Sequence, residues 1–385
     1  MSVALSQVAE INPKAELPIS FARDKMLDFL PMADVSETGV ISVSKQRPLS
    51  EVQKGFTAFR RGDILIAKIT PCFENNKIAV ADISTEVGFG STEFHVVRCN
   101  QSLLDSRYLL HLLRSNDVRS EGRKRMTGSA GQQRVPKQFL EELQIPLPPL
   151  HEQKRISAIL DQAEELRCKC QLALDRLNQL GQAIFVEMFG DSAAEAQQPL
   201  ASVCDLITDG THYTPTYTES GIVFLSAKNV TKRRIDWENV KYIPESLHLD
   251  LQRRVSPQIN DVLLAKNGTT GVAAIVDRDC VFDIYVSLAL LRPSDRVLPR
   301  YLLEAVNCDK TRRQFDGSLK GIGVSNLHLV DIRSAVIPVP SMGEQKEFVR
   351  RIAELERLRQ FAESALSNTR SLFASLQKLA FRGEL

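Results

Sequence analysis

The chain contains no run of eighteen apolar residues, so no transmembrane helix is expected. Its opening, MSVALSQVAEINPK, lacks a basic stretch followed by an apolar one. No signal peptide is expected, and the chain reads as cytoplasmic. The seven cysteines are scattered, and Cys168 and Cys170 form the only close pair. C-x-C inside a helical pattern is not zinc-ligand spacing, so reduced thiols and no metal site are expected. The phosphate-cradling pattern G-x-x-x-x-G-K-[ST] is absent, which excludes a P-loop ATPase. The only Asn-Pro is Asn12-Pro13, followed by Lys14, so the Asn/Asp-Pro-Pro-Tyr/Phe tetrapeptide of methyltransferases is missing. No glycine-rich cofactor fingerprint and no paired-acid nuclease signature stand out. The expectation is a protein with no catalytic site and no bound cofactor of its own. Charge is nearly balanced, at +2, so any polyanion would have to meet a local basic face.

What is present is a duplication. Pro146, Pro148, Glu152, Gln153 and Lys154 recur as Pro338, Pro340, Glu344, Gln345 and Lys346, 192 residues on. Arg107-Tyr108-Leu109-Leu110 recurs as Arg300-Tyr301-Leu302-Leu303, and Gly128-Ser129 as Gly317-Ser318. Gly62-Asp63-Ile64-Leu65-Ile66-Ala67-Lys68 is answered by Asn260-Asp261-Val262-Leu263-Leu264-Ala265-Lys266. The offset drifts before the Pro-x-Pro motif, which implies loop insertions, and is constant after it, which implies an element whose register matters.

After each motif the apolar residues step by 3 and 4. The first seam reads Ile159, Ala163, Leu166, Cys170, Ala173, Leu177, Leu180 and Ile184; the second reads Leu355, Leu358, Ala362, Ala365, Thr369, Leu372 and Leu376. These are heptad patterns of about 40 residues, hence helices of about 60 Å. Ser341 with Glu344 has capping-box spacing at the start of the second. Two in-phase seams in one chain bury each other most simply as an antiparallel intramolecular pair. The segments before them carry short apolar runs punctuated by Gly, Pro, Asn and Asp, which predict strands, with short helices at 105–118 and 299–310. The fold class is α+β: two α+β domains, 1–150 and 194–342, each followed by a long helix, 151–193 and 343–385, with pseudo-two-fold symmetry.

This arrangement resembles the specificity subunit of type I restriction-modification enzymes over essentially the full length. The carrying residues are the repeated Pro-x-Pro and Glu-Gln-Lys junctions, Gly90-Ser91-Thr92-Glu93-Phe94, Asp209-Gly210-Thr211-His212-Tyr213-Thr214-Pro215, and the two Ala-Lys strands. The resemblance implies that each globular domain reads one half of a bipartite, asymmetric double-stranded DNA target and that the helices set the spacing. It implies two modification subunits using S-adenosylmethionine, and restriction subunits using ATP and Mg²⁺, as partners, and no membrane. A coiled-coil adaptor that binds protein, or the specificity module of another DNA methyltransferase system, stays open as an alternative.

Three clusters suit DNA. Arg123, Lys124, Arg125, Gln132, Gln133 and Arg134, answered by Arg312, Arg313 and Lys320, combine phosphate neutralisation with amides able to read adenine. Lys68, Thr70, Asn75, Asn76 and Lys77, answered by Lys266, Asn267 and Thr269, follow the Ala-Lys strands, though ordinary turn chemistry favours the same residues. Thr211, His212 and Tyr213, with Lys228, form the third. His212 beside Asp209 has no nucleophile or metal partner at a recognisable spacing, so a catalytic reading is rejected. Trp237, the only tryptophan, reads as packing.

Overall fold

The computed structural model describes residues 2–14, 17, 21–42, 45–129, 131–190, 196–268, 270–318 and 326–385. Contacts divide the chain into two units. The first is Met1–Gln171 with Ser364–Leu385; the second is Leu172–Glu363. The 151–193 and 343–385 segments are therefore not separate domains, since each long helix gives one half to each unit.

Both units contain the same antiparallel four-stranded sheet. In the first the order is Ala9–Ile11, Phe94–Cys99, Ile64–Ala67, Ile78–Val80; in the second it is Cys204–Asp209, Leu288–Pro293, Val262–Ala265, Ala273–Ile275. The central strands Ile64–Ala67 and Val262–Ala265 are apolar throughout because both faces are covered. A second sheet repeats too, with one parallel pair in each unit: Met26–Leu30 beside Val87–Gly90, and Ile222–Leu225 beside Phe282–Ile284. The expected short helices are present, each followed by another: Ser106–Leu113 and Asn116–Lys124, Pro299–Asn307 and Asp309–Ser318.

The duplicated motifs mark backbone joints. Gly62 and Asn260 both lie in the left-handed region, at φ 86° and 72°, which glycine and asparagine tolerate best. The aspartate that follows is buried and pairs with an arginine across the sheet, Asp63 with Arg98 at 2.7 Å and Asp261 with Arg292 at 2.8 Å. Gln153 and Gln345 are fully buried. The Gln153 amide donates to the carbonyls of Leu103 and Pro148 and accepts from Asp105 N–H. Gln345 does the same with Arg296, Pro340 and Leu298. Tyr108 and Tyr301 donate to the carbonyls of Pro146 and Pro338. Each knot ties the start of a long helix to its own globular part. Truncating Gln153 or Gln345 to Ala removes the partner of three part-buried backbone groups, at about 1–3 kcal/mol each. A loss of about 3 kcal/mol or more is expected in denaturant unfolding, where an effect under 1 kcal/mol would contradict this role.

The long helices are Leu150–Phe189 and Met342–Arg382. The second starts with the expected capping box, Ser341 Oγ donating to Glu344 Oε2 at 2.7 Å while Glu344 N–H returns to Ser341 Oγ. Within each unit their segments run antiparallel. In the first, Arg155 reaches Leu385 and Arg370 reaches Gln171; in the second, Phe185 packs on Phe348, and Leu355 lies against Gly181.

The seam differs from the expected one along one of its two rows. Ala163, Leu355 and Thr369 are buried, and Ile159, Cys170, Leu177, Ile184, Ala362 and Leu376 half-buried. Leu166, Leu180, Leu358 and Leu372 are 44–57% exposed and lie outside it. The other row runs one residue later, through Leu160, Arg167, Leu174 and Gly181, and through Ile352, Arg359, Leu366 and Phe373, with the 192 offset intact. Arg167, Arg359 and Gly181 disguise this row in the sequence. An arginine can lay its apolar stem in the seam and keep its charge at the edge, where Arg167 meets Glu164 at 2.7 Å.

Candidate nucleic-acid interface

In the first unit two of the sequence clusters meet. The strand Ile64–Ala67 ends at Lys68, whose carbonyl accepts from Val135 N–H at 2.8 Å. Thr70 N–H donates to the Gln133 carbonyl and Gln133 N–H donates to Thr70 Oγ1, while Thr127 and Arg134 exchange two backbone bonds. Lys68, Thr70, Gln132, Gln133 and Arg134 thus share one surface. Arg134 is a bidentate donor to Glu93, at 2.8–3.2 Å. Its guanidinium, helped by the charge of Lys68, holds the Glu93 carboxyl below the usual range against the opposing effect of burial. That ion pair orients a half-exposed Arg at the base of the exposed Gln132.

The basic helix end is solvent-facing but not bare. Arg123 pairs with Glu74 at 3.1 Å, Lys124 with Glu121, and Arg125 with both Glu121 and Glu142. Asn75 is exposed, whereas Asn76, at φ 61°, turns the chain back to Ile78. Lys77 Nζ donates to the Met32 carbonyl at 3.2 Å, which ties the two sheets together. The turn chemistry accounts for Asn76 and Lys77.

In the second unit the corresponding strand end is built differently. Lys266 is 5% exposed, and its Nζ lies 2.7 Å from Asp209 Oδ2. It is withdrawn from any DNA surface, a correction to the sequence reading. The reason is Asp209 on the neighbouring chain segment, which also accepts from Arg254 at 2.7 Å and lies 3.4 Å from His212. Burial works to raise the Asp209 pKa; the bond and charge of Lys266, with His212, outweigh it and the net shift is downward. Thr211 is also buried, and its Oγ1 accepts Tyr213 N–H, so it shapes the loop instead of facing out. Gly210 has no room for a side chain, because a Cβ would fall 1.9 Å from the Ile284 carbonyl.

On this rigid base His212 and Tyr213 project into solvent, Tyr213 with 85% exposure. Two residues missed in the sequence join them. Tyr285 meets Thr214 through its hydroxyl at 3.3 Å, and Tyr217 carries Lys241 over its ring at 3.8 Å. The clustering of four of the chain's six tyrosines at positions 213, 217, 242 and 285 was the available signal, but only the fold brings the last three near the loop. Lys228, Arg312 and Arg313 are exposed and Asn267 is half-buried. Thr269 and Lys320 lie outside the described residues. Trp237 packs edge-on to Phe282 and donates to Asp277. No described helix is long and apolar enough to cross a membrane.

The fold defines a duplicated protein whose two units each present a polar loop surface, after the strand Ile64–Ala67 in the first and after Cys204–Asp209 in the second, with different side chains in the two. Residues 1–171 match the family described as the type I restriction modification DNA specificity domain. The chain is thus similar to that family over the globular part of its first unit and the start of the first long helix. It is similar to the EcoAI specificity subunit of Escherichia coli, 38% identical over 46% of this chain and 30% of the relative. It is likewise similar to the EcoEI subunit of that organism, 37% identical over 50% and 33%. The chain spans about a third of the length of these two curated relatives. The EcoKI specificity subunit of E. coli K12 is 23% identical over 100% of this chain and 88% of its own. Two solved structures share the fold: a chain from a study of complex assembly in a type I restriction-modification system, and the S subunit from M. genitalium. Their TM-scores are 0.65 and 0.56, at 21% and 13% identity, over 100% and 99% of this chain and 98% and 96% of theirs.

Proposed function

We propose that this chain is the DNA-reading subunit of a type I restriction-modification complex. Each unit reads one half of a bipartite, asymmetric target, and the long helices set the gap. The observation that carries this is a loop surface presented by each copy of one repeated scaffold, amide-rich in the first unit and aromatic in the second. Identical surfaces would read a palindrome; these would not. The chain supplies recognition and no bond chemistry. Two modification subunits bring S-adenosylmethionine, and restriction subunits bring ATP and Mg²⁺. The exposed leucines at 166, 180, 358 and 372, with Phe361, give such partners apolar purchase on the helices. The site of action is the cytoplasm.

The test is binding of the purified chain to duplex DNA across a salt series. Affinity is expected to fall steeply with salt, because each neutralised phosphate releases counterions. Replacing Arg123, Lys124 and Arg125 with Ala should lower the log-log salt slope by about two, fewer than three because their glutamate partners already discount the charge. Salt-independent or absent binding would favour a protein-binding adaptor.

A further inference from the structure

Both units contain a second repeat that the sequence motifs do not mark, a small hairpin. In the first unit Val35 pairs with Ile41 across residues 36–40; in the second, Val230–Thr231 pairs with Arg234–Ile235 across Lys232 and Arg233. Each follows a 3-10 turn, Met32–Asp34 or Ala227–Asn229, after a strand of the second sheet. Each tip touches the short helix that leads toward a long one.

In the first unit the Glu37 carbonyl accepts from Arg114 Nη2 at 3.1 Å. Gly39 lies at φ 78°, and a Cβ there would stand 2.7 Å from that guanidinium, so the tip backbone rests on the arginine. Arg114 then faces Glu164 of the first long helix at 3.8 Å. In the second unit the Arg233 guanidinium pairs with the buried Glu304 carboxylate. Glu304 meets Arg300 at 3.3 Å, and Arg300 reaches Glu356 of the second long helix at 2.6 Å. Glu164 and Glu356 are 192 residues apart, the offset of the helix repeat. The route is the same and the polarity is inverted. The first tip offers an acceptor to a cation on the helix side, while the second offers a cation to an acid.

The second tip is also an uncomfortable one. Lys232 and Arg233 are both left-handed, at φ 49° and 63°, in a turn that glycine or asparagine would close at lower cost. Keeping Arg there is explained by what its side chain reaches.

We infer that Arg233 with Glu304, and the 36–40 tip with Arg114, are positioning contacts that lock the hairpin following each unit's second-sheet strand to the long helices, and that their opposite polarity keeps the two hairpins from being interchangeable. In the second unit the lock fixes Lys228, which sits in the turn entering the hairpin. The consequence for DNA rests on the function proposed above; the lock itself does not.

The test uses the full chain with Arg233→Lys, Arg233→Ala and Arg233→Glu. Amide hydrogen exchange over 230–235 reports the lock, and the ratio of affinities for target and random duplex reports positioning. Exchange is expected to rise in the order Lys, Ala, Glu, at least tenfold for Glu, which faces Glu304. The Glu defect should shrink in high salt, because Arg233 is partly exposed and its charge is screened. A fold defect unrelated to charge would not follow that order or respond to salt. Target discrimination should fall at least tenfold with Arg233→Glu and survive in Arg233→Lys. Equal exchange in all variants overturns the lock. Faster exchange with unchanged discrimination overturns the positioning role. A wild-type chain that binds no duplex sinks the DNA reading alone, and the exchange series still decides the lock.

Discussion

Replacing Asp209 with Ala is expected to destabilise the second unit by about 3–5 kcal/mol, because Lys266 is then left buried without a counter-charge. Asp209→Asn keeps the shape and isolates the charge. The pH dependence has a definite sign. A carboxylate whose folded pKa lies below its unfolded value stabilises the fold above the unfolded value, and that contribution is lost as pH falls through the folded one. The gap between wild type and Asp209→Asn should therefore be full at neutral pH and narrow as pH falls below the unfolded carboxylate value, about 4. Chemical denaturation at pH 7 and at pH 3 checks it; equal gaps at both would mean that Asp209 carries no such role. His212 and Tyr213 should lose their fixed placement in the same variants, so DNA affinity should fall further than the unfolded fraction accounts for.

Inserting one heptad into both long helices, after Gln171 and after Glu363, is expected to shift the preferred gap between half-sites by about three base pairs. Seven residues add about 10 Å of helix, and a base pair rises about 3.4 Å. A whole heptad preserves the seam row, and these positions are where the contacts pass from one unit to the other. Target selection from a randomised-spacer library reads the result. An unchanged gap would remove the ruler from the proposed function. Inserting seven residues into one helix alone should instead break the antiparallel match and abolish tight binding.

Much of this was legible without coordinates. The offset of 192 gave the duplication and the helix repeat, since a heptad helix tolerates no insertion that breaks its seven-residue period. The joints were visible as residues, but their purpose was not. Gln153 and Gln345 stood out by recurrence, yet only the fold reveals three backbone groups converging on each amide. The seam was half right. Apolar residues at 166, 180, 358 and 372 drew the second row one position early, because a sequence pattern does not weigh an arginine stem as apolar surface.

The candidate interface divided along the same line. Lys68 and Lys266 occupy one place in the repeat and look alike in sequence. The first ends a strand at the surface, while the second is drawn inward by an aspartate 57 residues away in the chain. Local sequence determined the repeat, the helices, the strands and the chemical character of the loops, because period, capping and turn preference act over a few residues. Tertiary structure alone decided which of two equivalent lysines faces outward, which row of each helix is buried, and which charges are already spoken for. Those outcomes depend on partners distant in sequence, and burial turns a modest surface charge pair into a strong constraint.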